Sequence, residues 1–235
     1  MQFGCIEKIL KNGKTPIVVG GTGLYVDSLI YGIEYQDIKF DEEYRKELEN
    51  MADEKGLENL YNRAKEIDEE AIKNISKNDK KRIIRILEIY KATGKTKTDQ
   101  EIESRKNEVP YNYKVFALNM DRDILYSRIN RRVDIMIQQG LIEEVQSICQ
   151  KYKKCPTAMQ ALGYKEIKEY LDGKLTKEQA IEKVKQETRR YAKRQLTWFR
   201  KNKQTIWLNT NEDMQSNIDV ILEGINWKKM EKITE

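Results

Sequence analysis

Arg128 and Arg132 stand four residues apart in LYSRINRRVDIM, so on a helix they share a face, with Ile129, Val133 and Met136 as the apolar stripe. Two guanidinium groups held this way suit a phosphate or diphosphate, because each donates bidentate, charge-assisted hydrogen bonds. Surface pairing with Asp121 or Asp134 is the alternative that spacing leaves open. A second basic group is TRRYAKRQLTWFRKNK. Arg189, Lys193 and Arg200 fall on one helical face, with Arg190, Arg194 and Lys201 beside it and Tyr191, Trp198 and Phe199 interleaved. Seven Lys or Arg and no acid lie between Arg189 and Lys203, whereas the stretch from Asp41 to Glu70 is rich in acids. Such segregation favours a polyanionic partner. A third group, KKRIIRILE, sets Lys81, Arg82 and Arg85 against apolar Ile83, Ile84, Ile86 and Leu87, a pattern that serves either a phosphate backbone or plain solvation.

Two uncharged stretches complete the set. TPIVVGGTGLY places Gly20, Gly21, Thr22 and Gly23 after an apolar run, where nucleotides often sit, yet it fits neither G-x-x-x-x-G-K-[ST] nor G-x-G-x-x-G. TAMQALGYKEI carries Thr157 and Gln160, then Gly163 and Tyr164 at a helix entry. An amide there suits a base edge and a phenol suits a phosphate. The 235 residues contain no histidine, which excludes a catalytic triad, a His–zinc site or imidazole acid–base chemistry in this chain. Cys5, Cys149 and Cys155 are unevenly spaced and form no C-x-x-C, as fits a reducing cytoplasm. Charged residues make up 35% of the sequence. No apolar run approaches the ~18 residues that span a bilayer, and no secretory signal is apparent. A cytoplasmic protein with no membrane association is expected.

The elements that position these groups read as α/β. Short apolar runs at Pro16–Val19, Lys114–Met120 and Thr205–Leu208 are expected strands, the first buried on both faces of a parallel sheet. Helices are expected over Phe3–Leu10, Val26–Tyr31, Ile124–Gln138 and Leu141 to about Tyr152, with a capping box at Thr176 opening a long C-terminal helix. From Asp41 to Lys95 every segment has helical periodicity. Asn78 or Asp79 suits the cap of the helix over residues 80–93, Gly94 suits its end, and Pro110 marks a return to the core. The expected organisation is a core of residues 1–30 and 111–235 with a helical insertion over residues 31–110.

In order and spacing, PIVVGGTGLY, NDKKRIIRILEIYKATGK, LYSRINRRVDIMIQQGLIEEV, MQALGYKEI and TRRYAKRQLTWFRK resemble the tRNA dimethylallyltransferase (tRNA isopentenyltransferase) family, from Phe3 to about Leu208. The resemblance implies a P-loop-kinase-like parallel sheet with a helical insertion that grips the tRNA anticodon arm. It also implies transfer of a dimethylallyl group from dimethylallyl diphosphate to the exocyclic amine of the adenosine beside the anticodon, with Mg²⁺ in the complete enzyme. Residue by residue, Thr22 and Arg45 match tRNA contacts. So do Lys81, Arg82, Ile83, Ile84 and Arg85; Gln160, Ala161, Leu162, Gly163, Tyr164 and Lys165; and Lys193, Arg194, Gln195, Leu196, Thr197, Trp198, Phe199 and Arg200. Gly20, Gly21, Thr22 and Gly23 become the wall of the channel that receives the flipped base. Arg128 and Arg132 are assigned to the diphosphate, partly by analogy with paired lid arginines in P-loop kinases.

The resemblance also has a gap. The family's G-x-T-x-[ST]-G-K-[ST] loop and D-S-x-Q-x-Y segment do not occur in this sequence, and with them go the expected diphosphate cradle and general base. The expectation is therefore an N-terminally truncated, incomplete core that binds tRNA without prenylating it alone. An uncovered sheet edge would then bring self-association or marginal stability to a protein that is monomeric when complete. A non-catalytic RNA-binding remnant and a small-molecule P-loop-type kinase relative are the alternative readings.

Overall fold

In the computed structural model the described residues are 2–33, 41–106, 109, 111–152 and 158–225, so Pro110, Cys155 and Thr157 lie outside them. They form two compact units, Met1–Asn112 and Tyr113–Glu235.

The first unit opens with α1 (Gln2–Lys11), which ends before Gly13 at φ +66°, and α2 (Gly23–Ile30). Between them, Pro16–Val19 is a correction to the sequence reading. The segment is neither strand nor helix, and Ile17 and Val19 are 78% and 90% exposed. An apolar run reports a tendency to be covered, but a strand exists only where a neighbouring backbone supplies its hydrogen bonds.

From residue 41 to residue 95 the elements are helices, as the periodicity predicts. α3 (Glu42–Lys55) starts at Asp41, whose carboxylate accepts from Glu43 N (2.9 Å) and Tyr44 N (3.1 Å). α4 (Leu57–Ile67) ends at Asp68, which caps α5 (Glu69–Lys73). α6 (Lys80–Thr93) is capped by Asp79 and closed by Gly94 in the left-handed region at φ +69°, and α7 (Lys97–Ser104) begins with a Thr96/Asp99 capping box. Leu48 and Ala52, Leu60 and Ala64, and Ile83, Ile86 and Leu87 recur at helical spacing and meet Ile72 in one core. Asp68 is buried there as well, and burial alone would raise its carboxyl. Bonds from Thr98 Oγ1 (2.6 Å), Ala71 N (3.0 Å) and Thr98 N (2.9 Å) outweigh that and hold it below the ordinary carboxylate range.

The second unit contains the sheet. β1 (Phe116–Asn119) and β2 (Ile206–Asn209) are parallel, with Phe116 opposite Ile206 and Asn119 opposite Asn209. Both lie where the sequence predicts strands. Between them run α8 (Arg122–Gln138), α9 (Leu141–Lys151), a 3₁₀ turn at Ala158–Gln160, α10 (Tyr164–Leu171) and α11 (Lys177–Phe199), and α12 (Met214–Gly224) follows β2. The Thr176/Gln179 capping box starts α11. Val133, Leu141, Val145, Ile167, Ala180 and Val184 form this unit's core. The fold is α/β, mostly helical with a small parallel sheet and a helical insertion.

Candidate nucleic-acid interface

Parallel strands end on the same side of a sheet, and that end is where α/β proteins place ligands. Here β1 runs into Met120 and β2 into Thr210, whose N and Oγ1 donate to Asn119 O at 2.8 and 2.9 Å. Beside this junction lies a cavity of about 260 Å³ lined by Leu118, Asn119, Met120, Leu125, Arg128, Leu196 and Thr210. It is an apolar recess with one guanidinium at its wall. Arg128 and Leu196, 68 positions apart in the chain (196 − 128), are thus brought together; Arg132, one turn further along α8, does not line the recess. The surface pairing that spacing left open is not the arrangement found. Asp134 is bridged by Lys185 at 2.6 Å and Asp121 accepts from Asn211 at 3.1 Å, while Arg128 and Arg132 make no ion pair with a described residue.

The basic stretch of α11 divides in two. Arg189 is tied down, its Nη1 donating to Asn130 Oδ1 at 2.6 Å and its Nη2 to Glu182 at 2.9 Å, and Arg190 pairs with Glu187 at 2.5 Å. Lys193, Arg194, Arg200 and Lys201 are exposed and form no ion pair with a described residue. Instead Arg194 lies over the Tyr191 ring (5.7 Å) and Lys201 over the Trp198 ring (4.8 Å). Cations braced on rings at the surface keep their outward N–H groups for an anion. Gln195, Leu196, Trp198 and Phe199 are half-buried, and Thr197 Oγ1 donates to Lys193 O.

In the segment Gln160 to Lys165, Gln160, Ala161, Leu162 and Lys165 are exposed. Gly163 is buried at φ +94°, a conformation that favours glycine, and its N donates to Glu166 Oε2 at 2.9 Å. The Tyr164 hydroxyl is hydrogen-bonded to the Glu144 carboxylate, which raises its pKa and sets a negative charge beside it.

In the first unit, Lys81, Arg82 and Arg85 point outward from α6, while Ile83 and Ile84 are buried in the core. Arg45 on α3 donates from Nε and Nη2 to the two carboxylate oxygens of Glu88 at 2.6 and 2.8 Å. In the glycine turn, Thr22 is exposed and precedes α2 without a side-chain capping bond. A Cβ built on Gly20 meets nothing within 4 Å, and none of Gly20, Gly21 and Gly23 has a positive φ. Neither backbone conformation nor packing requires glycine at position 20.

Sequence reasoning missed Leu118, Met120, Leu125 and Thr210, although the ends of the two expected strands were the signal for three of them. It also missed Glu88 and Asn130, whose partners are distant in the chain. Among the described residues no three His, Cys, Asp or Glu side chains converge as a metal site. No helix among them is long and apolar enough to cross a membrane.

An α/β unit with an arginine-walled recess at its strand ends, and with surface cations toward the end of α11 unpaired by described acids, presents groups of the kind that can hold anions. Residues 3–202 match the model of the family described as IPP transferase, and the chain belongs to that family. It is 50% identical over 208 residues to the tRNA dimethylallyltransferase of Acetivibrio thermocellus and 44% identical over 209 residues to that of Bacillus cytotoxicus. The matches cover 88% and 89% of this chain but only 66% of each relative's length. Among solved structures it resembles the tRNA isopentenylpyrophosphate transferase of Bacillus halodurans (TM-score 0.63, 40% identity, 98% of this chain and 73% of that one). A similar likeness holds to the tRNA Δ(2)-isopentenylpyrophosphate transferase of Staphylococcus epidermidis (TM-score 0.60, 36% identity, 95% and 73%).

Proposed function

We propose that this chain binds the anticodon stem-loop of a tRNA and that its residues serve transfer of a dimethylallyl group to the adenosine beside the anticodon. Family membership gives the reaction class. The observation that carries the reading to particular residues is the set of outward cations on and just after α11, Lys193, Arg194, Arg200 and Lys201, unpaired by any described acid, two of them, Arg194 and Lys201, braced on Tyr191 and Trp198. Lys193, Arg194 and Arg200 neutralise RNA phosphates, joined by Arg45, Lys81, Arg82 and Arg85 of the insertion and by Lys165, while the Gln160 amide meets a base edge. Residues 1–30 work with 111–235 as the core, and Gly20, Gly21, Thr22 and Gly23 receive the extruded base, with open space at Gly20 to admit a flat ring.

Dimethylallyl diphosphate has an apolar five-carbon chain and an anionic head. The recess at the strand ends matches that division: Leu118, Met120, Leu125 and Leu196 face the chain, and Arg128, with Arg132 beyond it, takes the diphosphate. In the transfer, the adenosine amine forms the new N–C bond as the C–O bond to diphosphate breaks. The diphosphate leaves onto the guanidinium groups and the amine gives up a proton. No residue of this chain is assigned as the base that takes it. The 235 residues contain no G-x-T-x-[ST]-G-K-[ST] motif, so RNA binding in the cytoplasm is the activity proposed for this polypeptide itself.

Fluorescence anisotropy with a labelled anticodon stem-loop bearing an adenosine-rich loop tests this. Binding that weakens steeply with salt and exceeds that of an unrelated hairpin is expected. Indifference to RNA would overturn the reading in favour of a small-molecule kinase relative.

A further inference from the structure

Glu88 is an acid in the middle of a helix face otherwise given to Ile84, Ile86 and Leu87, and it is 2% exposed. Its carboxylate meets the Arg45 guanidinium edge-on, Nε to Oε1 at 2.6 Å and Nη2 to Oε2 at 2.8 Å, across 43 residues of sequence. The two ends of the pair differ sharply, since the Arg45 side chain is 49% exposed. A buried ion pair is poor value as a staple between helices, because apolar residues of similar volume stabilise such a contact as well or better. What a bidentate pair supplies is direction. A guanidinium gripped along its Nε/Nη2 edge has one orientation and turns its Nη1 edge away from the carboxylate.

We propose that Glu88 is a positioning residue for RNA binding: from inside the insertion it fixes the Arg45 guanidinium so that its outer edge meets a backbone phosphate. The proposal rests on the RNA-binding reading above. Arg85 stands one turn before Glu88 on α6, and Arg45 and Arg85 repel each other, so the buried carboxylate also lets two cations share one patch. Donating to Glu88 raises the pKa of Arg45, while burial lowers that of Arg85 against the opposing pull of Glu88. Glu42 and Glu49 on α3 lie near enough to act on Arg45 as well. In that acidic setting, orientation rather than bulk charge has to select a phosphate.

The test is a set of anisotropy titrations of the anticodon stem-loop with the whole chain and with Arg45→Ala, Glu88→Gln, Arg45→Ala/Glu88→Gln and Arg45→Lys, each checked by thermal melting. Arg45→Ala weakens binding on the order of fivefold to tenfold. Glu88→Gln does the same although it removes no cation, and the double variant is no weaker than Arg45→Ala. Arg45→Lys, which keeps the charge but not the fork, falls close to Arg45→Ala. A folded Glu88→Gln that binds like the parent overturns the proposal, as do losses for Glu88→Gln and Arg45→Ala that multiply. Should Glu88→Gln not fold, Arg45→Lys decides, because parent-like binding by lysine removes any need for a fixed guanidinium. If the parent binds but Arg45→Ala is silent, this proposal alone fails. If the parent does not bind the stem-loop, the RNA reading fails and takes the proposal with it.

Discussion

Arg189 and Arg194 belong to one basic stretch of α11, yet their surroundings predict opposite phenotypes. Arg194 is exposed, unpaired by any described acid and braced on Tyr191, whereas Arg189 is committed to Asn130 and Glu182. Each phosphate neutralised contributes about 0.7–0.9 to the slope of log affinity against log salt. Raising salt from about 50 to 200 mM therefore costs about threefold per contact, and about 50–150-fold for Lys193, Arg194, Arg200 and Lys201 together. Arg194→Ala should flatten the slope by about 0.7–0.9, so that the same salt step costs these contacts about 20–40-fold. Arg189→Ala should leave the slope unchanged. It should instead lower stability by about 1–2 kcal/mol, from a largely shielded hydrogen bond to Asn130 and a solvent-screened pair with Glu182. Anisotropy titrations at four salt concentrations, with a thermal melt of each variant, separate the two. Equal slopes for Arg194→Ala and parent, or equal flattening by both variants, would refute the division of this helix.

Two further perturbations bear on other parts of the structure. The Asp68 carboxyl is held below its unfolded value of about 3.9, so its contribution is complete above about pH 5 and drains away as pH falls through 3.9 toward the folded value. Urea melts should show Asp68→Asn destabilised by about 1–2 kcal/mol at pH 7 and the gap narrowing as pH falls below about 3.9, whereas a gap constant in pH would contradict the assignment. At the glycine turn, a capping threonine ordinarily contributes about 1 kcal/mol, but Thr22 makes no capping bond. Thr22→Ala should therefore shift stability by under about 0.5 kcal/mol. The same change in an active full-length family member should slow prenyl transfer, and a loss confined to melting temperature would make the turn a scaffold feature.

Local signals were legible in the sequence and distant ones were not. Asp79 before α6, Gly94 after it and the Thr176 capping box are short-range devices whose partners lie within four residues, and each stands where its residue type demands. The β1 and β2 runs announce themselves by β-branched and apolar content. Pro16–Val19 has the same look and is not a strand, because pairing depends on a neighbouring backbone that composition does not record. The α11 arginines show the limit most clearly. Spacing placed Arg189 among the phosphate-facing cations, but Asn130, 59 positions earlier, decides otherwise. Likewise nothing near Arg45 in the chain points to Glu88, and Arg128 gains its apolar surroundings only when α8, α11 and the strand ends come together. The basic character of the site could be read from residue types; which cations are free could not.

Photo-crosslinking a uridine-substituted anticodon stem-loop to the chain, followed by peptide mapping, tests the interface itself. Crosslinks are expected in residues 193–201, at Gln160 to Lys165 and around Arg45 and Lys81 to Arg85. Crosslinks confined to the acidic faces of α3 and α4, or to α12, would place the RNA elsewhere and contradict the assignment.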